Sequence, residues 1–141
     1  MAVPLPWECT VRGVPASLQA SKTKIGDWRR RVAEAARERW PYGEPPLAQP
    51  LALLVAFMHW GQNLDVDNML KPTLDGLIDV AYVDDALLEQ VVGARWDLSR
   101  TLRVERLTPV LARAVVEAIV DERPFVYLRL SPPVGLEELL R

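Results

Sequence analysis

Apolar residues along this chain recur at two spacings, every second position in some stretches and every third or fourth in others. Residues 7–14 alternate as a strand does, with β-branched Thr10, Val11 and Val14, and Gly13-Val14-Pro15-Ala16-Ser17 breaks the run. A helix is predicted over residues 24–40, because Ile25, Trp28, Val32, Ala35 or Ala36, and Trp40 fall on one face. Arg29, Arg30, Glu34 and Arg37 are left outward. Residues 41–50 hold four prolines and a glycine, and read as a surface connection between helix and strand. Residues 51–60 are apolar on both faces, the pattern of a central strand.

The next helix runs to about Val80, and Pro72 complicates its start. A helix from Asp67 carries the proline inside, where it has no N–H to donate and crowds the preceding turn. A helix from Lys71 puts it at the favoured first position. The expectation is a first turn from Asp67 with a kink or irregularity near Pro72. Asp84-Asp85 then interrupts the apolar pattern before a strand over residues 88–98. Residues 109–121 form a second amphipathic helix, with Leu111, Val115 and Ile119 beside Ala112 and Val116. Residues 125–130 read as a strand with Val126, Leu128 and Leu130 on one face, and residues 135–141 as a frayed helix. Strands and helices intermix. The fold class is therefore mixed α+β, a single mixed sheet with two main amphipathic helices plus the helix after residue 65.

Composition narrows the class. A chain of 141 residues, half of them hydrophobic and 26% charged, fits one globular domain. The single Cys9 excludes an intramolecular disulfide framework, and His59 as sole histidine excludes zinc sites of the Cys/His type. No run reaches the roughly 18 apolar residues of a membrane span, and no basic region precedes an apolar block at the N-terminus. The expectation is a cytoplasmic protein without a membrane partner. Net charge is only −2, but it is unevenly spread. Residues 12–40 carry eight Lys/Arg against three Asp/Glu, whereas residues 61–90 carry seven Asp/Glu against one lysine. The first region can hold phosphate while the second holds metal, so near-neutral charge does not exclude DNA.

The candidate chemistry lies in Asp65-Val66-Asp67-Asn68-Met69-Leu70-Lys71, with Asp84-Asp85 following. Crowded carboxylates repel one another unless positive charge lies between them. Hard oxygen donors of this kind suit Mg²⁺ or Mn²⁺. On an extended backbone Asp65 and Asp67 would point to one side and could chelate one cation. Asp84 or Asp85 would add a third carboxylate, while Lys71, four residues from Asp67, could steady a phosphate oxygen. Each feature also has an ordinary reading: an N-cap at Asp67, a Lys71–Asp75 surface pair, a polar turn at Asp84-Asp85. Their joint occurrence in this order favours the site. Trp28 and Trp40 are read as core, His59 as a satisfied structural histidine, and Arg29-Arg30-Arg31 as a solvated helix face.

The run Asp65-x-Asp67-Asn68-x-x-Lys71-Pro72-x-x-Asp75-x-Leu77, then Asp84-Asp85, resembles the RusA-type Holliday-junction resolvases (crossover junction endodeoxyribonucleases). The looser likeness spans residues 7–98, and residues 100–121 add a helix outside the family pattern. The resemblance implies a small α/β homodimer that cuts four-way DNA junctions with Mg²⁺, by paired symmetric nicks. It assigns Asp65, Asp67 and Asp85 as catalytic metal ligands and Lys71 as the catalytic lysine. Asn68, Asp75 and Asp84 become supporting residues. With DNA as substrate, Arg29, Arg30, Lys22 and Lys24 become the candidate phosphate contacts. Two rival readings are a nuclease for other branched or flapped DNA in phage or defence biology, and a non-catalytic DNA- or protein-binding member.

Overall fold

The computed structural model describes residues 3–100 and 106–141. Along the chain run β1 (Trp7–Arg12), α1 (Lys22–Arg39), β2 (Leu51–His59), α2 (Val66–Leu77) and a 3-10 turn (Asp85–Leu87). They are followed by β3 (Leu88–Asp97), α3 (Pro109–Asp121), β4 (Phe125–Ser131) and α4 (Leu136–Leu139). Part of the segment at 100–121 that the sequence sets outside the family pattern, residues 101–105, lies outside the described residues.

The four strands form one mixed sheet in the order β1-β4-β2-β3. β4 is antiparallel to both its neighbours, and β3 is parallel to β2. The mixed α+β class with a single sheet is thus as expected. One strand is more buried than its sequence suggests. Val126, Leu128 and Leu130 face α1 and α2, but Phe125 and Tyr127 on the other side of β4 are buried as well. α3 supplies that second cover, with Val115 and Ala118 packed near Ala56 and Met58 of β2. Two-sided burial is what a strand between two others, with helices on both faces, requires.

α1 and α2 share the opposite face. Ser21 caps α1 by accepting the Lys24 N–H at 3.2 Å, and Trp28, Val32 and Ala36 are buried along its inner side. Trp28 Nε1 donates to Thr73 Oγ1 of α2 at 3.0 Å, which satisfies an indole N–H that burial would otherwise strand. The two helices approach closely at Gly76, where a Cβ would lie 2.7 Å from Val32 Cβ and 3.0 Å from the Arg29 carbonyl oxygen. Gly93 does the same for α2 against β3, since its Cβ would meet Val66 Cγ1 at 2.6 Å. The proline-rich connection is tied to the molecule at Leu47, which donates to the Ala81 carbonyl at 2.9 Å and accepts the Val83 N–H at 3.0 Å.

The start of α2 departs from the sequence reading. The helix begins at Val66, with Asp65 as N-cap and Pro72 inside it. The helix tolerates Pro72 because the carbonyl left without its i+4 donor, that of Asn68, accepts the Leu18 N–H at 2.8 Å instead. A loop residue thus replaces the bond that proline cannot make.

Candidate active site

The turn from β2 into α2 is fixed before any acidic residue is reached. Gly61 takes φ +92°, in the left-handed region, and donates its N–H to His59 Nδ1 at 2.9 Å. That bond needs a neutral imidazole nitrogen. Burial first, then the Arg95 charge, hold the His59 pKa below its ordinary value and keep that nitrogen free to accept. His59 is thus a satisfied structural residue. Trp60 N–H reaches Gln62 Oε1 at 2.6 Å, and the Arg95 guanidinium donates to the Gln62 carbonyl at 2.9 Å.

Asp65 follows as the N-cap of α2, with φ −68° and ψ 142°. Its main-chain carbonyl accepts the N–H groups of Asn68 and Met69, at 3.1 and 3.3 Å, while its carboxylate makes no capping bond. Asp67 lies in the first helical turn, so only Asp65 is on extended backbone. The two-residue extended chelate is corrected to an N-cap and first-turn pair at the positive end of the helix dipole, which favours negative charge there. Both carboxylates are exposed, and neither has a hydrogen-bond or ion-pair partner among the described residues.

One turn further along, Lys71 is held between two carboxylates. Its Nζ lies 2.7 Å from Asp85 Oδ2 and 2.9 Å from Asp75 Oδ1. Asp75 Oδ2 in turn accepts from Arg29 of α1 at 3.2 Å. The result is a chain of alternating charges, Arg29–Asp75–Lys71–Asp85, joining α1, α2 and the 3-10 turn. Hydrogen bonds to Asp75 first, then Asp85, raise the Lys71 pKa, and the Lys71 hydrogen bond lowers that of Asp85. Asp84 caps the 3-10 turn by accepting the Ala86 N–H at 3.0 Å, which aims Asp85 at the lysine. Tyr82 braces the arrangement from below, its buried hydroxyl donating to the Leu74 carbonyl at 2.6 Å.

The structure therefore brings together Lys71, Asp75 and Asp85, with Asp84 behind them. Asn68 enters through its carbonyl, on the Leu18 N–H. Lys71 points to Asp85 and Asp75, so the expected Asp67–Lys71 adjacency is replaced by the Lys71–Asp75 pair one turn on. Among the described residues, no three His, Cys, Asp or Glu side chains are grouped as a metal site. The donor chemistry at the start of α2 still fits a hard divalent cation, since Asp65 and Asp67 offer exposed carboxylates with no protein partner.

Of the expected phosphate contacts, Lys22 and Lys24 are exposed in the first turn of α1, where the helix dipole disfavours positive charge. Arg30 pairs with Asp27 at 3.0 Å on the surface. Arg29 differs from its sequence reading, because Asp75 engages it and ties it to Lys71. Sequence periodicity could place Arg29 outward on α1 but not opposite Asp75, 46 positions away. A glycine at position 76 was the one hint that another helix comes close.

No protein of curated function matches this chain. The family model of endodeoxyribonuclease RusA matches residues 16–105, more than half of the 141. That span holds α1, the turn with Asp65 and Asp67, the whole of α2, the Lys71–Asp85 pair and β3. Motif, spacing and match agree, and the chain belongs to the RusA endodeoxyribonuclease family.

Proposed function

We propose that residues 1–141 act as one RusA-like domain, a Mg²⁺- or Mn²⁺-dependent endodeoxyribonuclease that cuts branched DNA. The preferred substrate is a four-way (Holliday) junction, cut by paired nicks from a cytoplasmic homodimer. The observation that carries this reading is Lys71, held by Asp75 and Asp85 one turn beyond two unpartnered carboxylates. Asp65 and Asp67, with Asp85, would hold the cation. When bound, the cation supplies the positive charge that polarises a phosphodiester and a water.

The protein's own groups do the rest. Lys71 keeps an ammonium beside the scissile phosphate and offsets negative charge that grows as the bond breaks. Asp75 fixes the direction of that ammonium, and Arg29 fixes Asp75. Lys22 and Lys24 at the start of α1 would hold the DNA backbone, which gives affinity without sequence preference. Two strands of a junction must be cut, and each chain carries one such acidic constellation, so a twofold pair supplies both cuts.

The test is cleavage of a synthetic four-way junction with Mg²⁺ or Mn²⁺, against duplex and flap controls. Paired symmetric cuts in the junction alone support the reading. Preference for the flap moves the protein to other branched DNA, and tight binding without cleavage makes it a binding module.

A further inference from the structure

Arg95 of β3 stands in register with Phe57 of β2, on the face of the sheet that α2 covers. Val66 and Leu70 of α2 lie over Gly93, two residues before it, so Arg95 emerges where α2 begins. Among the described residues its guanidinium has no carboxylate partner, and its Nε is buried without a hydrogen bond. A partly buried charge left so costs stability, and packing alone does not account for it. What Arg95 does touch is the turn from β2 into α2. It donates to the Gln62 carbonyl at 2.9 Å, and the Gln62 side chain takes the Trp60 N–H. Its neighbour on the same face is His59, in register with Asp97 and accepting the Gly61 N–H.

We propose that Arg95 is the positioning residue for the turn that carries Asp65 and Asp67, acting on Gln62 directly and on Gly61 through His59. The inference rests on the metal-dependent reading above and names what keeps its carboxylates in place. Glycine takes positive and negative φ about equally, so the bond to His59 selects the φ of +92° at Gly61. Only a neutral imidazole can accept that bond at Nδ1. Among the described residues the charges acting on the ring are Arg95, Asp97 and Arg100. Asp97 alone favours imidazolium, and it is engaged elsewhere. Its Oδ1 accepts the Ser99 N–H at 2.9 Å and the Ser99 hydroxyl at 2.6 Å, and its Oδ2 lies 3.8 Å from Arg100 Nε. After burial, Arg95 is the stronger influence, and it disfavours a second positive charge beside it. One cation thus holds two successive residues of the turn, one by a hydrogen bond and one by its field. Leu64, packed in the core, carries the geometry on to Asp65.

His59 is the sole histidine, so its ring protons titrate alone in an NMR spectrum. Arg95→Gln keeps an N–H donor for Gln62 and removes the charge. The expected result is a His59 midpoint moved to higher pH, with the Gly61 amide resonance changing at the same midpoint. Below that midpoint, Mn²⁺ affinity by calorimetry should fall about tenfold or more against wild type at the same pH. Arg95→Lys keeps the charge and should leave the His59 midpoint at its wild-type position; a shift as large as with glutamine overturns the route through His59. A folded Arg95→Gln protein whose Gly61 amide and Mn²⁺ affinity match wild type at every pH overturns the inference and leaves the metal reading intact. Should that variant not fold, His59→Asn decides. Its amide oxygen accepts from Gly61 at any pH, so it should bind Mn²⁺ more tightly than wild type in acid, and no gain overturns the inference. A wild-type protein that binds no Mn²⁺ overturns the metal reading instead. The turn is then judged on the Gly61 amide, which must follow His59 in wild type and Arg95→Gln alike.

Discussion

Lys71 gains its position from two carboxylates and, through Asp75, from an arginine on a different helix. On the proposed function, an ammonium so held would reach a phosphate without first being ordered, which is why its loss should appear in the rate. Lys71→Met should slow cleavage on the order of 10²-fold or more, as removal of a preorganised charge does, with little change in junction binding. Equal losses in both would make Lys71 an ordinary electrostatic contact. The pH dependence follows from the two shifts. Asp85 is depressed, so its share of stability is present at neutral pH and lost as pH falls through the carboxylate range. Lys71 is raised, so its share is full at neutral pH and lost only as pH rises past the ordinary lysine value. Thermal melts of wild type and Lys71→Met should converge at both extremes and differ most between them. Asp65→Asn and Asp67→Asn should behave differently. Neither carboxylate accepts a bond among the described residues, so stability should change by no more than about 0.5 kcal/mol while cleavage is abolished. Retained cleavage in either would remove that residue from the site.

At the scale of elements, most boundaries were legible because amphipathic period, caps and breakers agreed. α3 begins at Pro109 and ends at Asp121 as its pattern predicts, with Thr108 accepting the Leu111 N–H at the cap. α2 was harder, since Pro72 argues against the helix that contains it. What resolves the conflict is Leu18, 50 positions before Asn68, and no local pattern points to it. The Leu18 amide should therefore exchange with solvent as slowly as those of α2, although its side chain is half exposed. Exchange at a free-loop rate would show that the Asn68 carbonyl is not satisfied this way. The helix pair gives a sharper case. Gly76→Ala improves helix propensity by about 1 kcal/mol, yet its methyl would overlap Val32. We expect a net loss of about 1–3 kcal/mol by denaturant unfolding. Activity should fall too, as α1 carries Arg29 away from Asp75. The carboxylates were legible as a set. Their division into a paired group and an unpaired group was not, because it depends on where the 3-10 turn sets Asp85.

For the whole molecule, mild net acidity and the proposed binding of DNA phosphates are reconciled by separation of charge along the chain. Junction affinity should fall steeply between 50 and 200 mM salt, by roughly tenfold or more if even a few phosphates are contacted. A flat salt response would place recognition elsewhere. The sheet order holds a further consequence. β4, the last in chain order of the described strands, lies between β1 and β2, and its register joins Trp7 to Leu130 and Arg12 to Phe125. The matched segment, 16–105, contains every proposed catalytic residue but only β2 and β3 of the sheet. A nascent chain that has already produced every side chain proposed for catalysis still lacks the strand that lets β1 join the sheet. Contacts spanning so much of the chain form slowly, and a ribosome must pass residue 131 before they can form at all. Truncation before β4 should therefore leave no residual nuclease, however complete the motif. Synthesis itself would withhold the proposed nuclease activity until β4 has been made.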